Sequence, residues 1–230
     1  MTRREMMGVL ASIGAVALSG CGRRYPAYRY RMTVEVDTPQ GLRTGSSVIE
    51  VSTSGGSNPL GMLPWTEVHS QVRGEAVAVD VAPRKTLFAL LQSSSGNVDA
   101  AAAYAPAGLP PSIKRDGDNA SVEDMVELVK RTDVGVIDPK RIPNYYPLLV
   151  TFTDIADPKT VARVDPADLA ASFGPGVKLK RITVQITDDP VTMGIEKRLG
   201  WLNTLDSYRT DPSNPFTNTL PAEIGSLRSN

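Results

Sequence analysis

A single histidine, His69, and a single cysteine, Cys21, bound the covalent chemistry open to this 230-residue chain. A histidine acting as general base needs a nucleophile within hydrogen-bond reach and a carboxylate to orient it. The stretch Val68-His69-Ser70-Gln71-Val72 supplies neither, because adjacent strand residues such as His69 and Ser70 point to opposite faces. A surface or turn histidine is the simpler reading. No His-Glu-x-x-His, Gly-x-Ser-x-Gly or Gly-Lys-Ser/Thr segment occurs, which removes the familiar metalloprotease, hydrolase and phosphate-loop signatures. Gly55-Gly56 is too isolated for a dinucleotide loop.

The carboxylates concentrate in the second half: Asp154, Asp157, Asp165, Asp168, Asp188 and Asp189. Such a set could hold a glycosidase-like acid pair or a calcium ion. Calcium loops place oxygen ligands at alternating positions, and no Asp-x-Asp-x-Asp run is present. Asp157-Pro158 and Asp165-Pro166 instead match the local chemistry by which Asp closes turns and caps helices. Neither a metal site nor a cofactor is expected. If catalytic residues exist, they are dispersed, and His69 with Asp154 and Asp157 would be the first suspects.

Two apolar stretches on Gly- and Pro-rich sequence are the candidate ligand or partner contacts. One ends in Leu60, Met62, Leu63 and Trp65; the other is Tyr145-Tyr146-Pro147. Aromatic side chains bury a large area for little lost rotamer freedom, which suits contact surfaces. The alternative is that these side chains fold back over the edge of the core.

Positioning elements follow from periodicity. Tyr28–Asp37 alternates apolar and polar residues as a half-buried strand, and Thr38-Pro39-Gln40-Gly41 turns it into a second strand over Thr44–Ser52. Val68–Val81 forms two more strand segments broken near Arg73-Gly74, followed by a core strand over Thr86–Leu91. Residues 93–119 lack a pattern and read as a surface excursion with an Ala-rich helical turn. Ser121 caps a helix whose apolar face is Val122, Met125, Val126 and Val129. Strands follow at Leu148–Asp154, Thr160–Val164 and Lys178–Thr187. Asp165-Pro166 opens a helix that Gly174 ends, and Thr192 caps a last one through Ile195, Leu199 and Leu202. The expected fold is α+β: a mostly antiparallel β-sheet, sandwich- or barrel-like, with three or four short helices.

The first 21 residues follow a different logic. Arg3 and Arg4 precede fifteen uncharged residues, Met6–Gly20, too few to cross a bilayer core of roughly 20 residues but matching the apolar core of an export signal. Leu18-Ser19-Gly20-Cys21 resembles the lipobox of bacterial lipoproteins. That resemblance implies diacylglycerol on the Cys21 thiol, cleavage before Cys21 and acylation of the new N-terminus. Thr2-Arg3-Arg4-Glu5-Met6-Met7 resembles a twin-arginine export signal. Gly22 in place of Asp argues, by the same family analogy, against retention in the inner membrane. The remainder is similar to uncharacterised bacterial lipoproteins. The implied organisation is a signal peptide over 1–20, a lipidated tether over 21–27, a globular domain over 28–205 and a polar C-terminal tail over 206–230.

Composition is consistent with this. The whole chain is neutral; subtracting Arg3, Arg4 and Glu5 from 25 charges of each sign leaves 23 basic and 24 acidic side chains, so no global field points to nucleic acid. With Cys21 committed to lipid, the folded part holds no thiol for a disulfide or zinc site. Arg23, Arg24, Arg29 and Arg31 follow the lipid site and could meet anionic headgroups, or line the solvated face of the first strand. The resemblance implies membrane attachment, extracytoplasmic on the periplasmic face of the inner or outer membrane. The expected role is a structural or protein-interaction module, with a small-ligand binder or an enzyme of dispersed residues as alternatives.

Overall fold

A computed structural model describes residues 26–56, 67–97, 100–110, 122–140, 143–204, 224 and 226–229. Its organising element is strand β1 (Tyr28–Thr38), whose inward residues Tyr28, Tyr30, Met32, Val34 and Val36 are all buried. Each contributes about 1.5–3 kcal/mol by leaving water. The Pro39-Gln40 turn closes on Gly41, whose φ of +106° suits glycine. From there β2 (Gly41–Gly56) returns antiparallel, in a register running from Thr38↔Gly41 to Tyr28↔Val51. On the other flank β1 pairs antiparallel with β9 (Lys178–Ile186). With β3 (Glu67–Glu75), β6 (Gly135–Val136) and β10 (Arg228–Ser229) they form a six-stranded sheet in the order β10-β3-β2-β1-β9-β6.

A four-stranded antiparallel sheet follows the order β4 (Val77–Ala82), β5 (Lys85–Ser93), β7 (Pro147–Phe152), β8 (Val161–Arg163). The expected α+β architecture is therefore present as two packed sheets that do not close into a barrel. One core lies between them, with Tyr30, Val34 and Ile49 of the first sheet meeting Val79, Leu87, Ala89 and Leu149 of the second.

The two sheets share one continuous chain at Ala76, the single residue between β3 and β4. This crossing brings backbone onto backbone: a Cβ on Gly45 would stand 2.1 Å from the carbonyl oxygen of Ala78. No side chain fits there.

Helix α1 (Ala101–Gly108) corrects the expectation of a surface excursion. Ala101, Tyr104 and Ala105 are fully buried in the inter-sheet core. Three tyrosines fix it: Tyr28 and Tyr30 donate to the carbonyls of Ala102 and Ala101 at 3.1 and 2.6 Å, and Tyr104 donates to Gln92 of β5 at 2.9 Å. Small side chains let the helix sit this close to the sheets; its buried face is Ala101, Tyr104, Ala105 and Gly108, and alanines on the half-buried face erase the amphipathic pattern. In α2 (Val122–Leu128) the core-facing residues are Met125, Leu128 and Val129, while Val126 is exposed, so the buried stripe is rotated from the expected one. Ser121 lies outside the described residues.

The outer face of the four-stranded sheet carries a second core: Phe88, Leu90, Leu148, Val150 and Phe152 under Ile195, Leu199, Leu202, Ile224 and Leu227. Here Thr192 does not cap a helix. Its hydroxyl accepts from the N–H of Val48 and its own N–H donates to the Val48 carbonyl, so it lengthens the edge of β2. The segment beyond it forms 3₁₀ turns at Ile195–Lys197 and Gly200–Thr204. The C-terminal stretch, expected as a polar tail, returns to the fold through buried Ile224 and Leu227 and through β10 pairing with β3.

Glu75 clamps the first 3₁₀ turn. This buried carboxylate accepts the backbone N–H groups of Gly194 and Ile195. Burial is the larger influence and raises its pKa, against the lowering effect of those two donors. A raised folded pKa means stability that is present below the unfolded value and lost as pH climbs through the folded one. Glu75→Gln should therefore gain stability relative to wild type between pH 4 and pH 7 in urea titrations; a pH-independent difference would refute the assignment. Gly45→Ala should cost about 3 kcal/mol in the same assay, whereas Gly200→Ala, where added carbon meets nothing within 4 Å, should be near neutral.

Candidate functional site

Strand β6 accompanies β9 only briefly. Gly135 and Val136 pair with Val184 and Thr183, and the Ile137 N–H donates to the Ile182 carbonyl at 3.0 Å. Asp138-Pro139 then turns away, with Asp138 accepting from the Lys140 N–H at 2.9 Å and Pro139 having no N–H to continue a ladder. Strand β9 runs on through Leu179, flanked among the described residues by β1 alone. The gap left by the departing chain is a groove of about 810 Å³, walled by Ile137, Asp138, Pro139, Tyr146, Pro166 and Leu179.

Two glycines make that wall. A Cβ on Gly135 would lie 2.2 Å from the Gly108 carbonyl oxygen, and one on Gly108 would lie 2.3 Å from Val184 Cγ2. The end of α1 thus rests directly on β6 and β9. On the opposite lip a β-bulge interrupts the β1–β9 register: Glu35 faces Arg181 and Val36 faces Leu179, leaving Lys180 as the extra residue. The bulge turns both cations towards Glu35. Arg181 donates two hydrogen bonds to Glu35 Oε1, from Nε at 2.9 Å and Nη2 at 2.7 Å, and Lys180 Nζ stands 3.4 Å from Oε2. The Arg181 hydrogen bonds, chief among several influences, lower the Glu35 pKa.

The neighbouring tyrosines separate. Tyr145 closes the 3₁₀ turn Pro143–Tyr145 and is 40% exposed, whereas Tyr146 is 5% exposed, packs into the inter-sheet core and walls the groove. Burial first, and the charge of Asp138 second, push its pKa up to about 12, so it stays a neutral hydroxyl. Cys21 and Trp65 lie outside the described residues.

The remaining candidates are not assembled. His69 sits in β3 opposite Ser54, in the six-stranded sheet. Asp154 and Asp157 lie in the β7–β8 connection of the other sheet and accept the N–H groups of Ala156 and Lys159 at 3.0 and 2.9 Å. Asp165 likewise accepts from Ala167, and Asp168 rather than Asp165 is the N-cap of α3 (Leu169–Phe173), accepting from Ala171. Asp189 binds Arg31 and the Thr187 hydroxyl. These carboxylates perform local turn and strand-end chemistry, as the proline neighbours suggested. Among the described residues no three His, Cys, Asp or Glu side chains gather as metal ligands. Sequence reasoning missed the groove residues Ile137, Asp138 and Leu179; the run Val134-Gly135-Val136-Ile137 before Asp-Pro was the available signal.

The Glu35 clamp is testable through linkage. A folded pKa below the unfolded one contributes stability above the unfolded value and loses it as pH falls through the folded one. Glu35→Gln should be less stable than wild type at pH 7, with the gap closing by pH 3; a gap that persists in acid would exclude the ionic clamp. No protein-family model matches this chain, and no match to it was found among curated proteins or solved structures.

Proposed function

We propose that this chain is a lipid-anchored, extracytoplasmic envelope protein whose folded domain serves as a structural or protein-interaction module. The observation that carries this reading is Leu18-Ser19-Gly20-Cys21 at the end of a basic start and fifteen uncharged residues. Several acyl chains at about 0.8 kcal/mol per buried CH₂ hold a protein firmly to a membrane. Six residues lie between Cys21 and Tyr28, the start of β1, so the seven Cα steps would let the sheet hang at most roughly 25 Å from the anchor.

The pairing of β2 and β3 continues past the Tyr28↔Val51 level to Gly56↔Glu67. The sequence between these two strand ends, residues 57–66, carries Leu60, Met62, Leu63 and Trp65. Trp65 belongs to this proposal as a ligand or partner contact.

Full-length protein expressed in a Gram-negative host should incorporate labelled palmitate and sediment with membranes. Cys21→Ala should lose both label and sedimentation. Absence of label from wild type, or equal labelling of the variant, would sink the anchor.

A further inference from the structure

We propose that the open flank of β9 in this groove binds an extended peptide of alternating apolar and acidic residues, which joins the six-stranded sheet as a further strand. The inference rests on the interaction-module reading above and names its surface and its partner.

The backbone comes first. Strand β6 follows β9 only as far as the Ile137 N–H on the Ile182 carbonyl, and Asp138-Pro139 then leads the chain away. Over Lys178–Arg181, β9 has β1 on one side and, among the described residues, no strand on the other. A strand edge presents a row of N–H and C=O groups, and an extended peptide pairs with them by continuing the ladder. The stretch Lys178–Arg181, at about 3.3 Å per residue, offers roughly 13 Å of such edge. The groove of about 810 Å³ opens along it.

Alternation then assigns the side chains. The inward side of this flank is apolar: Leu179 packs against the inter-sheet core, and Ile137 and Tyr146 belong to that core across the groove. The outward side carries Lys178, Lys180 and Arg181, all exposed, against two carboxylates of β1, Glu35 and Asp37. Glu35 holds Arg181 and Lys180, and Lys178 stands opposite Asp37. One positive charge is in excess where the outward side chains of an added strand would lie. On the far lip Asp133 is held by two hydrogen bonds from Arg131, and Asp138 acts on Tyr146, on the apolar side. Acidic residues therefore suit the outward positions of the peptide and apolar residues the inward ones.

Saturation-transfer NMR titrations on the purified, detergent-solubilised full-length chain test this. The probe is acetyl-Thr-Glu-Val-Glu-Val-Thr-amide. Comparisons are its Lys-for-Glu counterpart, versions N-methylated at both Glu or at both Val, and an oligothymidylate. The acidic peptide should receive saturation more strongly than the basic one. An added strand pairs along one edge, so one of the two N-methylated versions should lose transfer. Lys178→Glu should weaken the acidic peptide about fivefold, the scale of one exposed charge reversed. Its thermal melt should match wild type, because Lys178 is exposed. No transfer to the acidic peptide overturns the proposal. So does equal affinity for the basic one, transfer retained by both N-methylated versions, or transfer confined to the oligothymidylate. The titration involves no acyl chain, so absent palmitate labelling would remove the anchor and leave this binding in place.

Discussion

The architecture depends on one close approach. Strands β3 and β4 belong to different sheets, yet only Ala76 separates them, so β4 must cross β2 at backbone contact distance. The Ala78 carbonyl occupies the space where a side chain on Gly45 would stand. Everything in the second sheet inherits its position from that crossing. Strand β4 places β5 by antiparallel pairing from Val77↔Ala89 to Ala82↔Lys85, and β5 brings Leu87, Ala89 and Leu91 into the core beneath β1. The same alternation leaves Phe88 and Leu90 on the far side, where they need a separate cover. The 3₁₀ turns and the C-terminal residues provide it, with Phe88 edge-to-face on Phe152 at 5.6 Å and Phe152 tilted against Trp201 at 5.8 Å between ring centres. Glu75, the residue before Ala76, clamps that cover, so crossing and covering layer are joined at neighbouring positions.

Charge on the outer face of the six-stranded sheet is resolved pair by pair. Arg29 and Glu50 are direct cross-strand partners and meet at 2.6 Å; Glu35 and Arg181 are partners across β1 and β9 and meet at 2.7 Å. Arg31 is matched to Asp189 just past β9. The half-exposed pairs at Arg29 and Arg31 contribute little stability, of order 0–1 kcal/mol, whereas the Glu35 carboxylate is nearly buried beneath Arg181. Their larger effect is on register, because a slip by one residue would turn every core side chain outward and bring like charges opposite each other. The neutral composition is thus also local neutrality, and Arg29 and Arg31, considered as headgroup contacts from sequence, are engaged by carboxylates of the fold.

What the sequence disclosed follows from which elements have two different faces. Strands β1, β2 and β9 bury one face and wet the other, so alternation located them within a few residues. Helix α1 buries one face, Ala101, Tyr104, Ala105 and Gly108, but carries alanine on its half-buried face as well, so no apolar periodicity marked it. Strand β6 is two residues long, below the length at which any period exists. The exchange of Asp165 for Asp168 as helix cap is a matter of three residues, since both carry the same side chain and both accept a nearby N–H. Tyr146 was visible as an aromatic on a Pro-rich stretch, but its groove was not. That cavity exists because β6 leaves β9 at Ile137, a pairing between residues some 45 positions apart that no local pattern encodes.

The two ends of β1 have different surroundings. Strand β1 begins at Tyr28, at the end of the sheet where β2 and β3 run out to Gly56 and Glu67. The groove lies beside Leu179–Ile182, whose partners on β1 are Val36 and Val34. Six to eight residues of strand at about 3.3 Å each put roughly 20–26 Å between these levels. Strand β1, whose inward residues from Tyr28 to Val36 are all buried, is the rigid spacer between these two levels of the sheet.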